Sequence, residues 1–211
     1  MEILFYHWNS KMNYLSRLII ASHNSHKIDE MRKILKDFPT QIFSLRDINW
    51  KDPHLENGRT YYENALQKVR SVVDHFGEPA LGEDSGLEVD ALGGIPGMYS
   101  ARYGGPGASD KDNNCKLLKA LQGIPFDKRT ARYRCTLVLL FPKGDVYTWE
   151  GTCEGIITLE PKGFEGFGYD PLFFLPEYKK TFAELGLEIK NKISHRAQSL
   201  AKLREFFQNY H

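Results

Sequence analysis

Glu83 and Asp84 stand side by side in Gly82-Glu83-Asp84-Ser85-Gly86, after Ala80-Leu81 and before the apolar-acidic alternation Leu87-Glu88-Val89-Asp90. The run reads as two carboxylates held where a strand meets a turn. Neighbouring side chains on extended backbone leave on opposite faces, so the two acids are expected to do different work. One can bind a metal or polarise water while the other supports it. A solvated acidic turn would explain the pair alone. Three further polar, glycine-rich clusters, each where a strand or helix ends, weigh toward chemistry.

Ser22-His23-Asn24-Ser25-His26-Lys27 falls between a strand and a helix N-terminus. Unpaired N–H groups and the macrodipole attract an anion there, and Lys27 adds a charge, which suits a triphosphate. The GxxxxGK[ST] phosphate loop is absent; a capping turn with an exposed lysine is the plainer alternative. Glu56-Asn57-Gly58 leads to Glu63-Asn64 and Lys68. Thr60 and Glu63 form a capping box, which leaves Glu56 the freer acid, and Lys68 can share a helix face with Asn64. Gly93-Gly94-Ile95-Pro96-Gly97 and Ser100-Ala101-Arg102-Tyr103-Gly104-Gly105 read as a permissive loop, either flexible surface or folded over a ligand. Gly166-Phe167-Gly168-Tyr169-Asp170-Pro171 sets aromatic rings between glycines, which suits stacking on a base. Downstream, Lys190, His195 and Arg196 supply donors and Asp170 an acceptor for a purine edge. Ser194 is explained as a helix cap, but cations at His195 and Arg196 are disfavoured at that end, which points to function.

The elements that must position these groups follow from periodicity. Leu18-Ile19-Ile20-Ala21 is a buried strand; Ile28, Met31, Ile34, Leu35 and Phe38 then recur at helical spacing up to Pro39. Ile42 to Leu45 is a second strand. Leu66, Val69, Val72, Val73 and Phe76 form the stripe of the next helix, stopped by Gly77 and Pro79. A third helix opens at Ser109 and buries Leu117, Leu118 and Leu121. Tyr133 to Phe141 and Val146 to Ile157 read as strands around a Pro142–Asp145 hairpin turn, and Leu172–Phe174 as a short strand. A final helix starts near Ser194 and buries Ala197, Leu200, Leu203 and Phe206 or Phe207. This order predicts a mixed α/β fold: a long bent mixed sheet with helices on its sides, and two lobes flanking a cleft.

The composition, 41% hydrophobic and 26% charged with a formal net charge of +1, is that of an ordinary globular chain and lacks the basic excess of a nucleic-acid coat. Cys115, Cys135 and Cys153 are unclustered, which fits core thiols in a reducing compartment better than disulfides or zinc. No stretch is long enough to span a bilayer. In Met1–Arg17, His7, Asn9 and Lys11 interrupt any secretory apolar core. The expected organisation is an extension over 1–17 without an assigned role and one domain over 18–211.

Taken in order, the clusters resemble the inosine triphosphate pyrophosphatase family of its bacterial type, from about Leu18 to Phe207. The most specific matches are Asp84-Ser85-Gly86 with Leu92-Gly93-Gly94-Ile95-Pro96-Gly97, Gly166-Phe167-Gly168-Tyr169-Asp170-Pro171, and Ile193-Ser194-His195-Arg196. The resemblance implies two lobes around a nucleotide cleft, a homodimer, a cytoplasmic location and Mg2+-dependent conversion of ITP, dITP or XTP to the monophosphate and pyrophosphate. It implies that Ser22, His23, Asn24, Ser25, His26 and Lys27, with Lys68, hold the triphosphate. Glu56 and Asp84 would bind Mg2+, Asp84 or Glu83 would act on water, and Ser85, Phe167, Gly168, Tyr169, Asp170, Lys190, His195 and Arg196 would hold the nucleoside. Two positions depart from the pattern: the acidic pair is often Asp-Asp where this chain has Glu83-Asp84, and glycine is frequent where it has His23.

Two other readings compete. A purine-binding module without hydrolysis has no use for carboxylates beside phosphate unless a metal intervenes. A pyrophosphatase for modified pyrimidines is disfavoured by the aromatic and Ser194-His195-Arg196 clusters. Binding to RNA ends is not expected at this charge, and no membrane partner is expected without a spanning stretch.

Overall fold

In the computed structural model, residues 13–51 and 57–208 are described. They fall into two compact units: residues up to Asp84 with Thr136–Trp149 and the chain from Ser199 onward, and Ser85–Cys135 with Glu150–Gln198.

In the first unit, β1 (Arg17–Ile20) leads into α1 (Ser25–Ile34), then β2 (Gln41–Ser44), α2 (Tyr61–Phe76) and the start of β3 (Ala80–Val89). β1 pairs in parallel with β2 and with β3. Leu18 and Ile20 leave β1 toward Ile28 and Met31 of α1 and Leu35 at its C-cap, while Ile19 and, just after the strand, Ala21 pack with Ala65, Val69, Val72 and Val73 of α2. Helices therefore cover both faces, and the strand reads as a continuous apolar run. The α2 stripe is buried as its spacing requires, and Gly77 ends the helix in the left-handed region at φ 64°.

The second unit holds the rest of β3, β4 (Pro96–Gly97), which pairs antiparallel with it, and α3 (Asp110–Ala120). β5 (Thr130–Leu140) and β6 (Val146–Ile157) run through both units. β7 (Phe173–Leu175), β8 (Lys180–Thr181) and α4 (Phe182–Ile193) complete it, and α5 (His195–Gln208) begins here and ends in the first unit. Among the described residues the strands pair in the order β2-β1-β3-β5-β6-β7-β8, with β4 beside β3. The core of this unit joins Leu87 and Val89 of β3 to Leu117 of α3 and Leu121 at its C-cap, with Tyr133, Phe173 and Phe182. The expected mixed α/β order with helix-flanked sheet is present.

Four sequence expectations need correction. The acids do not sit where a strand ends: β3 continues through Gly82, Glu83 and Asp84 as far as Val89. Gly82 reflects close packing, since a Cβ there would lie 2.6 Å from Val69 Cγ1 and 3.2 Å from the Ala65 carbonyl oxygen. The capping box of α2 is half made: Thr60 Oγ1 accepts from Glu63 N–H, but Glu63 Oε2 accepts from Arg59 N–H at 2.5 Å, one residue beyond the cap. α4 was not expected; it carries a full Thr181/Glu184 capping box, but Gly186 (φ 78°) breaks its helical period. Finally, Cys135 and Cys153 are buried, whereas Cys115 is exposed. Burial first, then the nearby Glu154 and Glu177, push the Cys153 thiol up to about 12. Among the described residues no helix is long and apolar enough to cross a membrane.

Candidate functional site

Alternation along β3 places its acids on opposite faces. Glu83, on the α1 side, meets Lys27 Nζ from the first turn of α1 at 2.9 Å, with the Glu83 side chain wholly buried. Asp84, on the α2 side, is gripped twice: Lys68 Nζ donates to Oδ1 and Asn64 Nδ2 to Oδ2, each at 3.0 Å. Lys68 Nζ also donates to the Glu83 carbonyl at 3.1 Å. Asn64 and Lys68 lie one helical turn apart on α2, so both reach the same carboxylate. The close approach at Gly82 brings the helix near enough. Asn64 Oδ1 in turn accepts from Gly58 N–H at 2.9 Å, tying the segment before α2 to the same group. Asn64 lay in the second sequence cluster without an assigned role, and the structure makes it one of two side chains orienting Asp84. Glu56 lies outside the described residues.

The turn from β1 to α1 is built around its cap. Asn24 Oδ1 accepts from Lys27 N–H at 3.1 Å, and Ser22 Oγ accepts from Asn24 N–H at 3.2 Å. His23, Asn24, Ser25 and His26 are exposed. A cavity of about 390 Å³ opens beside it, lined by Ser22, His23 and Ser25 and by Arg32, Arg46 and Lys51. Arg32 pairs with Asp47. Hydrogen bonds from the Ser44 backbone and hydroxyl hold the Asp47 carboxyl below its ordinary value.

A second cluster lies wholly within the second unit. Lys190 Nζ meets Asp170 Oδ2 at 2.5 Å, and both residues are buried. Asp170 Oδ2 also accepts from Phe167 N–H at 3.0 Å. Lys190 Nζ sits 4.3 Å from the Phe167 ring centroid and the Arg196 guanidinium 5.9 Å from it, both within cation–π range. Arg196 Nη2 donates to Ser85 Oγ at 3.4 Å. His195 stacks on Tyr133 with centroids 4.7 Å apart and planes 11° off parallel; neither composition nor spacing singled out Tyr133. Ser194 caps α5, its Oγ accepting from Ala197 N–H at 3.2 Å.

Two residues of the aromatic turn serve the scaffold. Tyr169 is buried in the core and its hydroxyl donates to the Ser100 carbonyl at 2.8 Å. Burial raises its phenol above the ordinary value, and nearby Tyr103 and Asp110 add to this, so it stays a donor. Gly168 donates its N–H to Asp110 Oδ2 at 2.6 Å and accepts from Asn114 Nδ2 at 2.9 Å. The loop from Gly93 to Gly105 is tied down as well: Ser100 Oγ donates to the Gly97 carbonyl and accepts from Leu87 N–H.

A model of the Ham1 family matches residues 18–206. The dITP/XTP pyrophosphatase of Desulforamulus reducens is 48% identical over 189 residues, covering 90% of this chain and 94% of that protein. The dITP/XTP pyrophosphatase of Geobacter sulfurreducens is 48% identical over 191 residues, 90% of this chain and 96% of its own. The solved Ham1 protein of Staphylococcus aureus superposes with a TM-score of 0.83 at 35% identity, covering 92% of this chain and all of the other.

Proposed function

The chain belongs to the Ham1 family, and from that premise we propose that it hydrolyses non-standard purine nucleoside triphosphates (ITP, dITP and XTP) to the monophosphate and pyrophosphate. The dITP/XTP pyrophosphatase name carried by relatives 48% identical over nearly their whole length supports the substrate class. The carboxylate of Asp84, held on one oxygen by Lys68 and on the other by Asn64, carries the chemistry.

Mg2+ is the implied cofactor, and the donor set suits it. Mg2+ takes one or two protein carboxylates and keeps most of its waters. An ionised carboxylate has about four acceptor positions, and Asp84 gives one on each oxygen to its holders. Asp84 would hold the ion with Glu56; when bound, it neutralises charge on the phosphate oxygens.

The chain's own groups then divide the work. Ser22, His23, Asn24, Ser25 and His26 offer a helix N-terminus to the triphosphate, with Lys27 and Lys68 supplying positive charge. Asp84, or Glu83 from the opposite face, orients a water and takes its proton as the water oxygen bonds to the α-phosphorus. The bond from that phosphorus to the bridging oxygen breaks and pyrophosphate leaves. Ser85, Phe167, Gly168, Tyr169, Asp170, Lys190, His195 and Arg196 form or support the nucleoside end. A 6-oxo group accepts from His195 or Arg196, whereas the amino group of adenine meets a donor. Such mismatches are rejected by roughly 10⁴-fold where a site is built on polar pairing. The same reading makes the enzyme a cytoplasmic homodimer acting on free nucleotides.

Incubation of the purified protein with a panel of nucleoside triphosphates and Mg2+ tests the reaction. Pyrophosphate should be the first product, ITP and XTP should lead the panel, and chelation by EDTA should stop turnover. Orthophosphate as first product would place cleavage at another bond. Arg196→Ala should reduce the ITP-to-ATP ratio of kcat/KM by at least about tenfold, the scale of a lost hydrogen bond to a charged donor. An unchanged ratio would move the discriminating contact elsewhere.

A further inference from the structure

The grip on Gly168 is the most specific arrangement that the reaction itself leaves unused. Asp110 opens α3 and Asn114 follows four residues later, so the two share one helix face. They take both backbone polar groups of a single residue 58 and 54 positions away: Asp110 Oδ2 accepts the Gly168 N–H at 2.6 Å, and Asn114 Nδ2 donates to its carbonyl at 2.9 Å. Gly168 adopts φ 61°, and a Cβ there would meet nothing within 4 Å. Its backbone conformation, not crowding, therefore makes glycine suitable. On the other side, Phe167 N–H is fixed by Asp170. Consecutive peptide groups on either side of the Phe167 Cα are thus each tied to a side chain, which sets where the ring stands.

We propose that Asp110 and Asn114 are positioning residues that hold Phe167 for the purine and so set affinity for the nucleoside end of the substrate. The inference rests on the function proposed above. Asp110 tightens nucleoside binding through Gly168 without touching the phosphates.

The test compares Asp110→Ala, which removes the acceptor, with Asp110→Asn, which keeps an acceptor oxygen. Losing a charge-assisted hydrogen bond that orders the turn should raise KM for ITP by about tenfold in the alanine variant, with kcat changed by less than about threefold. Inhibition by inorganic pyrophosphate should be unchanged, and Asp110→Asn, whose neutral acceptor keeps roughly half the strength of the charged one, should bring KM back to within about threefold. Amide hydrogen exchange of the 166–169 segment, followed by mass spectrometry without substrate, should accelerate in Asp110→Ala. An unaltered KM, a parallel weakening of pyrophosphate inhibition, or unaltered exchange would each overturn the proposal. A wild-type protein inert toward ITP would instead defeat the proposed function, while the exchange rates would still judge the grip on Gly168.

Discussion

Asp84→Asn is expected to lower kcat for ITP by about 10²–10⁴-fold, the range of a positioned acid–base group, while nucleotide binding remains measurable by calorimetry. The substitution keeps the size of the side chain but removes the charge that faces Lys68 at 3.0 Å. Lys68 keeps an acceptor in the Glu83 carbonyl, so its ammonium is not stranded. Asn64, placed on the other oxygen, can still donate to the amide oxygen if the new side chain turns that way. These two facts favour a folded variant with defective chemistry, which circular dichroism and thermal melting should verify. Glu83→Gln is the informative companion, because Glu83 pairs with Lys27 on the other face of β3. If Asp84 takes the proton and Glu83 holds Lys27, the glutamine variant should lose activity chiefly through a raised KM. Near-normal turnover in Asp84→Asn, with a collapse in Glu83→Gln, would exchange the two roles.

The parts of this arrangement that the sequence reveals are those whose cause is local. Thr60, Ser109 and Ser194 cap helices because short polar side chains reach the N–H groups three residues on, and each is legible from residue type and position. The alternation of Glu83 and Asp84 was legible too, since it depends only on extended backbone. What stayed hidden depends on approach between distant segments. Gly82 reads as a turn residue in isolation, yet it is required where α2 presses on β3. Asn64 looks like any polar residue in a first helical turn until Asp84, twenty positions away, meets it. α4 escapes recognition for a different reason: Gly186 interrupts the period by which a helix is recognised, even though Thr181 and Glu184 announce its start. Tyr133 belongs to a strand run in which aromatic residues are ordinary, so nothing local marks its stacking on His195.

The second large effect is expected in stability. Lys190 and Asp170 form an ion pair with side-chain exposures of only 3% and 1%. Removing one partner of such a pair typically costs about 3–5 kcal/mol, because the other charge is left in a poorly solvated place. Asp170→Asn should therefore lower the melting temperature by roughly 6–20 °C for a chain of this size, measured by scanning calorimetry. The same oxygen that meets Lys190 also accepts from Phe167 N–H, so the aromatic turn should loosen with the pair. The double variant Asp170→Leu with Lys190→Met separates the two consequences. Replacing both charges by apolar groups is commonly neutral or stabilising by about 1–4 kcal/mol, so much of the melting temperature should return. Preference for ITP over ATP should not return with it, since neither the Asp170 anchor for Phe167 nor the nearer of the two cations beside its ring, Lys190, is restored. A single variant that melts within about 2 °C of the wild type would show that the pair is better solvated than its burial implies. A double variant that recovers selectivity along with stability would assign purine preference to groups other than this buried pair.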